Sequence, residues 1–198
     1  MMNFADKNLK DFIFVDRSAL PNQLCDFIIK KSQDYEWQKH GWYGHNSKLH
    51  VSKDESYTFL EGDDKEFDRT TIDKIISLQL TPYVQKSVKS YKKLLDITVP
   101  INFYSHISLN RYYSGSRMKN HYDHIHSLFD GKDKGIPVLS IVGLLNDDFE
   151  GGEFIFWENY NLNLKKGDVL IFPSLFLYSH NVREILQGTR YSIVCWSW

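Results

Sequence analysis

Short apolar runs alternate with glycine-bearing turns through the second half of the chain. Phe103 to Tyr113 alternates apolar or small residues with polar ones and ends at Ser114-Gly115. His121-Tyr122-Asp123 opens a second extended stretch. A polar loop with Asp130-Gly131 and Lys134-Gly135 leads into Pro137–Leu145. After Gly151-Gly152 comes Glu153–Trp157, then a Lys166-Gly167 turn and Asp168–Phe172. His180-Asn-Val182, a Gln187-Gly188 turn and Thr189–Trp198 complete the series. Runs of this length bounded by turn residues predict strands, and their succession predicts a barrel or sandwich of the jelly-roll kind.

The first half carries a different period. Asp11-Phe-Ile-Phe-Val15 predicts a strand, and Leu20-Pro21 opens a helix in which Leu24, Phe27, Ile28 and Lys31 follow helical spacing. The apolar members of that set are expected in the core. A second helical region runs from about Arg69 through Ile72, Ile75 and Ile76. Pro82 interrupts or restarts it before Tyr83, Val84, Ser87, Val88 and Tyr91. Lys86, Lys89, Lys92 and Lys93 form a solvated face of it. Between the helices, Trp37 to Leu60 is polar and rich in aromatics (Trp37, Trp42, Tyr43, Tyr57, Phe59). Such a segment either closes over a substrate or anchors an excursion to the body.

With 198 residues the chain suits one domain, 1–198, with about 1–100 supporting a core of about 101–198. A net charge of -1 and a pI near 6.7 give no general attraction to nucleic acid. There is no membrane-spanning apolar run and no secretory h-region. Two cysteines, Cys25 and Cys195, are too few for a disulfide framework, and a reducing cytoplasm is expected.

The chemistry concentrates at His121-x-Asp123. On a strand, residues i and i+2 share a face, so both side chains reach one point. With a second histidine, His180, they make a 2-His-1-carboxylate set, the geometry of non-haem Fe(II) oxygenases. Roughly one H-x-D triplet arises by chance at this composition, so the context carries the weight.

That context includes the last strand. Tyr191, Ile193 and Cys195 lie on one face, and Arg190, Ser192, Val194, Trp196 and Trp198 on the other. Both faces are apolar apart from Arg190 and Ser192, which predicts a strand covered on both sides. A buried guanidinium needs a partner, and no acid lies in the strand. A ligand carboxylate held by Arg190 and Ser192 fits; a distant acid of the chain is the plain alternative.

These elements together resemble the Fe(II)/2-oxoglutarate-dependent dioxygenases, in their prolyl 4-hydroxylase-like branch. The resemblance rests on Tyr112-x-x-Gly115, His121-x-Asp123, Gly151-Gly152-x-Phe154, Gly167-Asp-Val-Leu-Ile-Phe-Pro173, His180-x-Val182 and Gly188-x-Arg190-Tyr-Ser192. It implies a double-stranded β-helix (jelly-roll, cupin-like) core packed against N-terminal α-helices. It also implies Fe(II) on His121, Asp123 and His180, and the distal carboxylate of 2-oxoglutarate on Arg190, with Ser192 and Tyr112 assisting. The implied reaction is hydroxylation of an unactivated C–H bond, with O2 as cosubstrate, succinate and CO2 as products and ascorbate as a reductant. The expected substrate is a prolyl residue in a peptide or protein, or else a small amino-acid-like molecule; no nucleic acid or membrane partner is expected. Some relatives place a cosubstrate-binding tyrosine where this chain has Gly143-Leu144-Leu145. A nucleic-acid demethylase typically has a further arginine after the cosubstrate arginine, which Tyr191–Trp198 does not supply. Absence of iron binding would leave a non-enzymatic jelly-roll module, and Asp123 argues against a halogenase.

The remaining histidines rank lower. His124-x-His126 would share the opposite face of an extended stretch, with no carboxylate context. His106 reads as a core or pocket-lining residue. His40, His45 and His50 read as solvated, and Glu150 and Glu153 as surface charges.

Overall fold

The computed structural model describes residues 6–45, 57–61, 67–98, 100–101, 103–123 and 137–198, with only the backbone of 41–45 and 57–61. Fifteen strands and two α-helices are present in these residues. The N-terminal part contributes β1 (Phe14–Asp16), α1 (Asn22–Lys31), β2 (Gln38–Lys39), β3 (Gly41–His45), β4 (Tyr57–Glu61), β5 (Asp68–Thr71) and α2 (Lys74–Leu94). Then follow β6 (Ser108–Tyr113), β7 (Met118–His121), β8 (Leu139–Leu144), β9 (Glu150–Gly151) and β10 (Phe154–Phe156). The last five are β11 (Tyr160–Leu162), β12 (Val169–Pro173), β13 (His180–Val182), β14 (Ile185–Gln187) and β15 (Thr189–Ser197).

Two sheets face each other. The larger has seven antiparallel strands in the order β1-β12-β8-β15-β6-β5-β2; the smaller has the order β11-β10-β13-β7. One core lies between the helices and the large sheet, where Ile76, Leu80, Val84, Val88 and Tyr91 of α2 join Cys25 and Ile28 of α1, Ile141, Ile171 and Ile193. The other lies between the sheets, built from Tyr112, Val142, Phe154, Phe156, Phe172 and Val194. The mainly β architecture with supporting helices is therefore as expected, and β15 is covered on both faces. Among the described residues no helix is long and apolar enough to cross a membrane.

Several expected boundaries move for local reasons. Asp11 and Phe12 belong to a 3-10 turn, Leu9–Phe12, instead of the expected strand, because the Asn8 side chain accepts from the Lys10 N–H while Asp11 takes the Asn8 N–H. Residues 68–71 are strand, not helix: β5 pairs with β6, and Asp68 meets its cross-strand partner Arg111 in an ion pair of 3.0 Å. The helix starts after Asp73, whose carboxylate caps the Ile76 N–H. Pro82 does not interrupt α2. Pro82 and Leu78, whose carbonyl has no proline N–H to accept from, both lie on the exposed face of the helix. Phe27 and Ile75 fall outside the core, and Cys25 and Leu80 take the buried positions. β6 begins at Ser108; Phe103 is exposed, and Tyr104 makes only an isolated bridge to Ser197.

Candidate active site

His121 on β7 and His180 on β13 are cross-strand partners in the small sheet, with ring centroids 4.1 Å apart. β7 ends at His121, so only part of the expected triplet is strand. The chain nevertheless leaves Tyr122 exposed and turns Asp123 inward. Asp123 Oδ1 lies 3.5 Å from His121 Nε2 and 3.9 Å from His180 Nε2, and one ligand atom from each residue falls within 4.8 Å of the others.

Backbone carbonyls fix the histidine tautomers. His121 Nδ1 is 2.8 Å from the Lys119 carbonyl and His180 Nδ1 is 2.9 Å from that of Tyr178. A neutral ring donating from Nδ1 presents a free lone pair at Nε2, the atom that faces Asp123. Burial, with His121 close by, pushes the His180 pKa down to about 4, against the pull of Asp123. Burial alone would raise the Asp123 pKa. His180, His121 and the Ser140 hydroxyl outweigh it and hold the carboxyl well below the usual carboxylate range. The cluster thus offers a carboxylate and the Nε2 atoms of two imidazoles, a donor set that fits a divalent iron ion. Phe154 stacks on His180 at 5.1 Å and Phe172 meets its edge at 4.9 Å, so the ring has one position to occupy.

Arg190 stands elsewhere in the same interior. It is 2% exposed, its Nη1 donates to Ser192 Oγ over 2.9 Å, and its guanidinium lies over the Tyr112 ring. Among the described residues no carboxylate pairs with it and its Nε has no hydrogen-bond partner, which removes the distant-acid alternative there. A cavity of about 270 Å³ opens onto Arg190, lined by Leu144, Phe149, Gly152, Phe154 and Asn161 among others. Phe154 therefore touches both the cavity and the His180 ring. Leu144 is cross-strand from Ser192 and lines the same cavity. Gly151 and Gly152 have φ of +77° and +66°. A Cβ on Gly152 would lie 2.4 Å from Ile185 Cδ1 and 3.1 Å from Arg190 Cδ, so the double glycine leaves room for the arginine stem.

Sequence reasoning missed His40. It is half-buried, stacked on Phe67 at 4.5 Å, and Phe67 stacks on Tyr112 at 4.4 Å. Burial first, then Arg69 and His121 nearby, push its pKa down to about 3. Its polar neighbours in sequence carry no sign of this distant ring. Ser140 was also missed; fully buried, it pairs with Ser174 at 2.7 Å and bears on Asp123. His106 is exposed, neither core nor pocket. Glu150 is exposed, whereas Glu153 is half-buried at the Arg190 cavity. Trp37 is an anchor, donating from Nε1 to the Ser32 carbonyl and facing Arg111 at 4.1 Å. The side chains of Trp42, Tyr43, His45, Tyr57 and Phe59, and all of His50, His124, His126 and the Asp130–Gly135 loop, lie outside the described residues. Cys25 and Cys195 are free and buried, their thiols pushed up to about 11 and about 12.

Residues 107–198 match the family model of the 2OG-Fe(II) oxygenase superfamily. Members of that superfamily use Fe(II), 2-oxoglutarate and O2, and the matched stretch contains His121, Asp123, His180 and Arg190. The viral collagen prolyl hydroxylase vCPH from Paramecium Bursaria Chlorella virus-1, solved with 2OG, is similar at 15% identity and a TM-score of 0.64, covering 94% of each chain. A Trichoplax adhaerens prolyl hydroxylase, solved with a hypoxia inducible factor oxygen degradation domain peptide fragment, is similar at 15% identity and a TM-score of 0.66, covering 95% of this chain and 84% of its own. A Pseudomonas putida prolyl-4-hydroxylase is similar at 13% identity and a TM-score of 0.63, covering 98% and 94%. At these identities the likeness shows the fold, a double-stranded β-helix. No curated protein matches the chain.

Proposed function

We propose that the chain is an Fe(II)- and 2-oxoglutarate-dependent hydroxylase acting on a prolyl residue within a peptide or protein. His121, Asp123 and His180 hold the iron; Arg190, with Ser192 and Tyr112, holds the distal carboxylate of the cosubstrate. The observation that carries this reading is the presence, in one barrel, of a two-histidine, one-carboxylate cluster and a buried arginine with no acidic partner among the described residues. A dicarboxylate satisfies both demands, since one end ligates metal and the other takes the guanidinium. When bound, iron, cosubstrate and O2 supply the oxidising power, with succinate and CO2 released and a C–H bond converted to C–OH.

The side chains of this protein do the rest. The Lys119 and Tyr178 carbonyls keep the histidine Nε2 lone pairs facing the metal position. The two imidazoles and Ser140 keep Asp123 ionised. Phe154, Phe156 and Phe172 pack around His180 and exclude water from that side. Arg190 fixes one end of the cosubstrate and so its distance from the metal.

The prolyl assignment is supported by the prolyl hydroxylases among the similar folds, one solved with a peptide. Turnover coupling tests it. A proline-containing peptide should accelerate 2-oxoglutarate decarboxylation and gain one oxygen per succinate, and should do both better than free L-proline. Full coupling with L-proline and none with peptides leaves a small-molecule hydroxylase instead.

A further inference from the structure

The rim of the barrel beside the histidine cluster carries apolar side chains that neither core absorbs. Ser140, which bears on Asp123, marks the level of the cluster in the large sheet, with Trp196 and Phe172 as its cross-strand neighbours. Two residues further out, about 6–7 Å along the strands, Val138 donates its N–H to the Ser197 carbonyl and accepts from the Ser174 N–H. Trp198 continues this row to the Phe103 carbonyl. Beyond Ser174 the chain makes a tight turn, closed by the Tyr178 N–H on the Leu175 carbonyl at 2.9 Å. Trp157 Nε1 grips that turn at the Leu177 carbonyl over 2.7 Å, and the Tyr178 carbonyl is the one that fixes His180.

This pinned turn presents Leu175, Phe176 and Leu177 to water, with Phe176 62% exposed. Val138 and Phe103, the latter 72% exposed, continue the apolar rim, and Tyr122 stands exposed between two members of the cluster. Turns facing water are ordinarily polar. Here residues 173–179 read Pro-Ser-Leu-Phe-Leu-Tyr-Ser, without a charge. A contiguous exposed apolar patch marks an interaction site. Its location names the occupant: in an extended chain with its target residue at the cluster, residues one or two places away reach the rim.

We propose that this rim is the docking surface for the substrate chain, and that the substrate carries bulky apolar side chains close to the oxidised residue. The proposal rests on the peptide reading above and adds the sequence class of that peptide. No charged side chain occurs among the rim residues named, so recognition is by burial of apolar surface and gives no preference for acidic or basic neighbours.

The test uses two synthetic peptides that share one central proline and differ only two places to either side, leucine in one and serine in the other. Binding to the full chain, supplied anaerobically with Fe(II) and 2-oxoglutarate, is read by fluorescence anisotropy. The leucine peptide should bind at least about tenfold more tightly, as expected for burying two such side chains. The preference should collapse to within about twofold in Phe176→Ser and Leu175→Ser, while substrate-free 2-oxoglutarate turnover stays at the wild-type rate. Equal binding of both peptides to the wild type, or a preference unaltered in both variants, overturns the proposal. So does a change of oligomeric state in Phe176→Ser without loss of peptide binding, which assigns the rim to a second copy of the chain. A leucine peptide that binds with the expected preference yet gains no oxygen removes the prolyl assignment and keeps the docking surface. Hydroxylation without any preference does the reverse.

Discussion

Arg190 and Tyr112 are cross-strand partners on β15 and β6, and the guanidinium carbon lies 5.2 Å from the centre of the tyrosine ring. The ring face offsets part of the cost of burying the cation, by about 2 kcal/mol for a desolvated pair. It leaves the hydrogen-bonding edge of the guanidinium for a carboxylate. Replacing Arg190 should have two opposite effects. Arg190→Ala should raise the KM for 2-oxoglutarate by at least about thirtyfold, from the loss of a buried charged pair worth roughly 2–5 kcal/mol. Arg190→Lys should recover only part, because an ammonium lacks the planar fork. In the ligand-free protein Arg190→Met should leave the Tm unchanged or raise it, since it removes a buried unpaired charge. Steady-state kinetics at saturating iron and a thermal melt measure the two. A KM unchanged in Arg190→Ala places the carboxylate elsewhere.

Removal of any one of His121, Asp123 or His180 leaves two protein ligands where three are needed. Alanine at each should abolish tight Fe(II) binding and lower turnover by orders of magnitude, while the fold survives on the two apolar cores. Anaerobic Fe(II) titration gives the affinity, and circular dichroism the fold. In the wild type, metal at about a hundred times its Kd should stabilise the protein by about 2.7 kcal/mol, and a chelator should reverse the gain. Wild-type iron affinity in Asp123→Ala would end the metal assignment.

The cluster and the arginine were legible in the sequence because strand periodicity is local. His121 and Asp123 sit two residues apart, and Arg190 and Ser192 alternate with apolar residues along a single strand. The interior face of β15 follows the same arithmetic. What the sequence hid was set by partners far along the chain. His40 is drawn inward by Phe67, and Ser140 meets Ser174 and Asp123 only once β8 and β12 are paired. Residues 11–12 and 69–71 were misassigned for a different reason. A capping pair at Asn8 and Asp11 and an ion pair at Asp68 and Arg111 outweighed the apolar pattern.

His40 makes a pH dependence with a definite sign. Its pKa falls from about 6.5 in an unfolded chain to about 3 in the fold. Between those values the unfolded chain binds a proton that the folded chain does not. Stability is therefore complete above about pH 6.5 and falls as the pH drops toward 3, by at most about 1.4 kcal/mol per pH unit from this group. His40→Gln should flatten the curve over that window and leave the high-pH limb alone. Urea unfolding from pH 7.5 to 4 is the measurement. An equal slope in His40→Gln shows that other groups carry it.

Gly152 links backbone strain to the cosubstrate site. Its φ of +66° disfavours any L side chain, and an added Cβ would strike Ile185 Cδ1 and crowd Arg190 Cδ. Gly152→Ala should therefore cost about 1–3 kcal/mol of stability from the backbone alone. It should also displace the arginine stem, raising the KM for 2-oxoglutarate while Fe(II) affinity stays near the wild-type value, because the atoms nearest an added Cβ belong to Ile185, Arg190 and Phe149 and not to the cluster. Gly188, also at positive φ, would place its Cβ against Asp148 and Phe149 and not against the arginine. Gly188→Ala should cost stability without the KM effect. Melts and cosubstrate kinetics on the two variants separate strain from site geometry. A KM for 2-oxoglutarate equal in Gly152→Ala and Gly188→Ala would show that the double glycine serves the turn alone.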